Sequence, residues 1–117
     1  MRVTKLSDEG RIQSSEAIFV GTVETHLIES SSRDFGLIEV HFKDGARNKL
    51  HTHTTDSLMV ITEGEGIVAT GGERREVTRG DAVFIPAGEE HWHGARPGKD
   101  MTHLVMYGAT LKTEITE

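Results

Sequence analysis

At 117 residues, with a formal charge of −6 and no cysteine, the chain has the length of one domain with a real core and leaves no disulfide or thiolate chemistry to consider. The acidic balance, with no basic stripe to override it, argues against a nucleic-acid partner. No apolar run approaches a membrane span and residues 1–17 lack the apolar heart of a signal peptide, so a cytoplasmic setting is expected.

Thirteen glycines and few aromatic residues predict many turns rather than long helices. Residues 1–17 alternate weakly and read as an arm or a poor edge strand. The stretch Ile18–Ile28 is rich in strand formers, and a polar loop at Glu29–Asp34 ends it. Phe35–Phe42 resumes as a strand with Ile38, Val40 and Phe42 on one face, closed by the turn Lys43-Asp44-Gly45. Leu58–Thr62 is a short apolar strand, and Glu63-Gly64-Glu65-Gly66 reads as its end. Ile67–Thr70, Arg74–Thr78, Ala82–Ile85, His91–Ala95 and Thr102–Tyr107 follow as strands between glycine and proline turns. Leu111–Ile115 is a candidate last edge strand. Helical periodicity is absent, and many short strands at regular spacing predict an all-β sandwich or barrel. Residues 18–117 form a single domain in this reading.

Four of the seven histidines fall in two stretches, Gly45–Gly64 and Gly80–Gly94. His51 and His53 are two apart, so in an extended strand both imidazoles face the same way and can grip one ion. In the first stretch glycine is followed by five residues, His-x-His and a closing Gly64. In the second, Gly80 precedes five residues, then Pro86, Gly88 and His91. Together they resemble the two cupin motifs, in the expected order and with matching internal spacing. Finer details (His-Thr-His, Val-Ile-Thr-Glu-Gly, Ile-Pro-Ala-Gly-Glu-Glu-His-Trp-His-Gly-Ala and Met101-Thr102-His103-Leu104) resemble a subgroup of small single-domain cupins. That subgroup includes manganese-dependent hydroxynitrile lyases and proteins associated with carboxymuconolactone-decarboxylase-like partners. The resemblance implies a double-stranded β-helix with a divalent metal held by His51, His53 and His91. Ser57 aligns with the position where the family usually supplies Glu or Gln, and Ala95 stands where asparagine is usual. A serine hydroxyl is a poor ligand, so the expectation is three neutral imidazoles plus water, with Ser57 either holding a metal-bound water or making a weak metal contact.

Imidazole ligands suit manganese or iron, with zinc, nickel or cobalt as further candidates. His93 shares the parity of His91 and has three readings: fourth ligand, proton shuttle, or packed histidine. His103 lies near the metal in the subgroup this chain resembles; general acid–base work and a structural hydrogen bond are both open for it. His41 alternates out of phase with its apolar neighbours and is expected at solvent or an interface. Trp92 is expected outward, and Arg47 and Lys49 at solvent. Ile38, Val40, Phe42, Met59 and Ile61 line an apolar pocket wall in this reading. These features predict a metal-dependent enzyme, of lyase or dioxygenase type, acting on a compact carbonyl- or hydroxyl-bearing small molecule. The alternative is a non-catalytic cupin that binds or senses a metal or ligand. A homodimer is expected in either case.

Overall fold

The computed structural model describes residues 1–117. A short 3₁₀ turn at Asp8–Gly10 precedes twelve strands. They are β1 (Ile12–Gln13), β2 (Phe19–Val20), β3 (Val23–Glu29), β4 (Phe35–Phe42), β5 (Arg47–Asn48) and β6 (His51–His53). Then come β7 (Ser57–Thr70), β8 (Arg74–Thr78), β9 (Ala82–Ile85), β10 (His91–Ala95), β11 (Met101–Gly108) and β12 (Thr113–Ile115). The predicted all-β double-stranded β-helix is the architecture found. No helix is long and apolar enough to cross a membrane.

Two layers share one strand. In the first, β1, β3, β4, β11, the front half of β7, and β9 pair antiparallel. In the second, the back half of β7 pairs with β8 and β10, β10 pairs with β5 and β6, and β2 and β12 flank them. Composition predicts a strand end at Glu63–Gly66, whereas β7 runs unbroken through 14 residues. The reason is Gly64, at φ +80°, which bends the strand from one layer into the other. A Cβ at Gly64 would collide with the backbone carbonyl of Asp100, so only glycine fits this turn of the chain. A second difference lies at Gly21 (φ +90°). It splits the single predicted Ile18–Ile28 strand into β2, which joins β5, and β3, which joins β4.

Alternation along the paired strands buries one face of each layer. Val23, Val40, Phe42, Met59, Ile61, Val77, Ile85 and Met101 meet there as the core, with Ile38 packed against them. The segment before β2 supplies the edge strand of the first layer, where Ile12 and Gln13 pair with Thr25 and Glu24. Arg11 reaches Glu39 on the outer side of β4, Nε to Oε1 2.9 Å, with both side chains shielded from water. His41 corrects the sequence expectation: it does point out of the barrel but is buried, not solvent-facing. Its Nδ1 lies 2.6 Å from the Thr102 hydroxyl on β11, the pairing partner directly opposite. Outer-face residues beside a neighbouring strand can be enclosed without belonging to the core.

Candidate metal centre

Strand register assembles the histidines. β6 carries His51 and His53, and His51 sits directly opposite His91 of β10. Two residues on, His93 repeats the inward parity of His91 and faces Val68 of β7. From the other layer, β11 sends His103 across the barrel, where its ring centre lies 4.9 Å from that of His93. The rings of His51 and His91 are 4.2 Å apart, and those of His53 and His91 5.3 Å. His51, His91 and His93 form a buried three-way cluster whose candidate ligand atoms all lie within 4.8 Å of one another. The motif resemblance groups His53 with His51 and His91. In the structure His53 sits beside this cluster, its Nε2 3.2 Å from the Nε2 of His51.

Hydrogen bonds decide which ring nitrogens carry protons. The Nδ1 of His51 lies 2.6 Å from the Lys49 carbonyl, and the Nδ1 of His91 lies 2.8 Å from the Glu89 carbonyl. A carbonyl only accepts, so both Nδ1 atoms must donate, and each neutral ring keeps a lone pair on Nε2. The Nε2 of His91 is buried and meets no protein donor. His53 turns its Nδ1 toward the Thr113 hydroxyl at 2.9 Å, leaving Nε2 on the side of His51. His93 differs. Asn48 accepts its backbone N–H at 2.8 Å, and the Asn48 amide nitrogen lies 3.2 Å from Nε2 and 3.5 Å from Nδ1. Neither ring nitrogen of the fully buried His103 has any protein partner.

A divalent cation fits these donors. Buried lone pairs without donors are costly, and a borderline metal ion satisfies several at once. Burial pushes His51 and His53 down to about 4, with like-charge repulsion from neighbouring imidazoles adding to it. Burial also lowers His91, takes His93 well below the ordinary imidazole value, and brings His103 to about 3. All five rings are therefore neutral near pH 7, the protonation state that metal ligands require.

The remaining predicted residues fall around this cluster. Ser57 is buried at the start of β7, between Ile85 and Tyr107 on the adjoining strands. Phe42 packs its ring 5.6 Å from His103 and 5.9 Å from His93. Val40, Met59 and Ile61 are core residues, and Ile38 is partly buried beside them. Trp92 points outward, as expected, and carries the guanidinium groups of Arg47 and Arg74 on its ring at 5.7 and 5.6 Å. A cavity of about 470 Å³ between β8 and β9 reaches His91, with Val68, Val77, Val83 and Ile85 in its wall. A second opening, lined mostly by polar residue types, borders His53 and Thr113. Asn48 and Thr113 were not singled out from the sequence. A lone amide or hydroxyl in a short strand carries no spacing signal, and only the pairing of β5 and β12 brings them to the histidines.

Residues 38–107 match the model of the cupin domain, and the chain belongs to the cupin family. It is 43% identical over 68 residues to an (R)-mandelonitrile lyase of Granulicella tundricola, covering 57% of this chain and 52% of that protein. It is 42% identical over 45 residues to a gentisate 1,2-dioxygenase of a Ralstonia species, covering 38% of this chain and 13% of that protein. The chain thus spans about half or less of the length of these relatives. A crystal structure of a cupin-like protein from Thermotoga maritima superposes with a TM-score of 0.83 at 27% identity, over 89% of this chain and 83% of that one.

The depressed histidines make a pH prediction for the metal-free protein. Unfolded, these rings titrate near 6.5; folded, His51 and His53 titrate near 4. Over that window the unfolded chain binds more protons, so stability is full above pH 6.5 and falls as pH drops toward 4. Thermal melts between pH 7 and 5, above the carboxylate range, should show a decreasing melting temperature. A flat profile would mean that the imidazoles are not held neutral by burial.

Proposed function

We propose that this cupin is a small metal-dependent lyase acting on compact molecules of the 2-hydroxynitrile type. The observation that carries the reading is the pair of Nδ1–H groups tied to backbone carbonyls, which leaves Nε2 of His51 and of His91 as acceptors, with the Nε2 of His53 3.2 Å from that of His51. His51, His53 and His91 are the ligand set in this reading. His93 is left out because the Asn48 amide, 3.2 Å from its Nε2, can donate to the one lone pair that a neutral ring offers there. Manganese or iron is the favoured ion, and bound there it supplies Lewis acidity toward a substrate oxygen. The 43% identity to an (R)-mandelonitrile lyase supports the reaction class.

The chain's own residues supply the proton chemistry and the enclosure. His103, neutral and without partners, accepts the proton of the substrate hydroxyl. As the oxygen becomes a carbonyl, the carbon–carbon bond to the nitrile breaks and its electron pair leaves with cyanide. The proton then passes from His103 to cyanide. Phe42 and the aliphatic residues behind it keep water from the site and accept an apolar substituent. Ser57 holds a water molecule in this reading and does not ligate the ion.

Oxygen chemistry is a second reading, favoured by a ligand set of neutral imidazoles without a carboxylate and by the segment shared with a gentisate dioxygenase. The two separate cleanly. Protein loaded with manganese(II) or iron(II) is given mandelonitrile with and without oxygen. The lyase releases cyanide and aldehyde equally in both, and His103→Ala lowers kcat by about 10²–10⁴-fold. Substrate-dependent oxygen consumption would replace it with the dioxygenase. Tight ligand binding with no turnover would make this a binding or sensing cupin.

The assembled form proposed is a homodimer built on the outer face of the first layer. Phe84, Leu58 and Met106 lie opposite one another on β9, β7 and β11, and all are exposed, Phe84 by 61%. Val60 extends the row. Two chains of charge −6 repel one another least where they meet on an uncharged face. Light scattering at micromolar concentrations should give the mass of a dimer for the native chain and of a monomer for Phe84→Glu. A native monomer would remove the proposal.

A further inference from the structure

His51 and His91 have their proton positions set by backbone carbonyls two residues before them, so their orientation is fixed by the local chain. His53 is different. Its Nδ1 depends on a side chain 60 residues further on, the hydroxyl of Thr113 at 2.9 Å. β12 places Thr113 directly opposite His53. The surrounding segment is fastened along the same stretch at both ends. On one side the Thr54 N–H donates to the Lys112 carbonyl at 3.0 Å, and the Lys112 N–H donates to the Thr54 hydroxyl at 2.8 Å. On the other, the Thr116 N–H donates to the Leu50 carbonyl at 2.9 Å, and the Leu50 N–H donates to Glu117 Oε1 at 3.0 Å. Arg47 completes the fastening with two parallel bonds to the Glu117 carboxylate, each 2.8 Å. That forked contact, with the Leu50 N–H, holds the Glu117 carboxyl down at about 2.

We infer that Thr113 is a positioning residue for the metal ligand His53, and that residues 112–117 act as a strap that holds the ligand strand β6 in place. This rests on the ligand set proposed above. The choice of a hydroxyl has a consequence that a carbonyl would not have, because a hydroxyl both donates and accepts. Without an ion, His53 can donate from Nε2 to the lone pair of His51, 3.2 Å away, while Nδ1 accepts the Thr113 O–H. With an ion, Nε2 must be bare; the proton moves to Nδ1 and Thr113 becomes the acceptor. Thr113 therefore serves both tautomers of His53, and removing its hydroxyl leaves the metal-binding tautomer without its partner.

The test is a zinc(II) titration at pH 7 against a chromophoric chelator, on wild type, Thr113→Val and Thr113→Ser. Valine keeps the shape and strand propensity but lacks the hydroxyl; serine keeps the hydroxyl. Thr113 is exposed, so water compensates in part, and the expected loss is about tenfold for valine, at the low end for such outer partners, with serine near wild type. Imidazole ¹⁵N shifts of the zinc-loaded wild type should show His53 protonated at Nδ1. Valine binding as tightly as wild type, or serine as weak as valine, would overturn the role of the hydroxyl while leaving the ligand set intact. Wild type that fails to bind zinc would overturn the ligand set itself, and this inference with it.

Discussion

The site depends on two short hydrogen bonds, from the Nδ1 of His51 to the Lys49 carbonyl and from the Nδ1 of His91 to the Glu89 carbonyl. A free imidazole exchanges its proton between two nitrogens. A ring fixed against a carbonyl cannot, and its other nitrogen becomes a permanent acceptor. Because His51 and His91 face each other across paired strands, the two acceptors converge. Burial then removes the remaining escape, which is protonation, by holding these rings neutral at ordinary pH. An arrangement that would be costly by itself becomes a site prepared for a cation.

The rest of the barrel is arranged so that this geometry is enclosed. β7 passes through both layers, bent at Gly64, and so ties β11 with His103 to β10 with His91 and His93. Without that bend the two layers would not be one curled sheet, and His103 would not reach the ring of His93. The outer faces are dressed differently. One carries the Arg47–Trp92–Arg74 stack, the other an apolar row and, beside it, the Arg11–Glu39 pair. These differences separate a face covered by stacked side chains from one whose apolar side chains stay exposed.

Much of this was legible in the sequence because it is carried by spacing. The His-x-His pair, the glycine–proline–glycine–histidine run and the short alternating strands led to the fold and to His51, His53, His91, His93 and His103 as a group. Spacing could not say how the five divide. His53 and His93 differ by what lies next to their rings, Thr113 in one case and Asn48 in the other, and both partners arrive through strand pairings distant in the chain. The continuity of β7 was hidden for a related reason: Glu63-Gly64-Glu65-Gly66 has the composition of a turn, and it is the backbone of Asp100 packed against Gly64 that makes it a bend. His41 shows the same limit, since alternation told its direction but not that Thr102 would cover it.

Metal content tests the account most directly. Protein produced without a histidine tag, offered manganese(II) and iron(II), then freed of loose ions, is measured by elemental analysis beside His91→Ala and His93→Ala. About one divalent ion per chain is expected in the wild type and in His93→Ala, and almost none in His91→Ala. A wild type that retains no ion, or an ion lost with His93 and kept without His91, would contradict it.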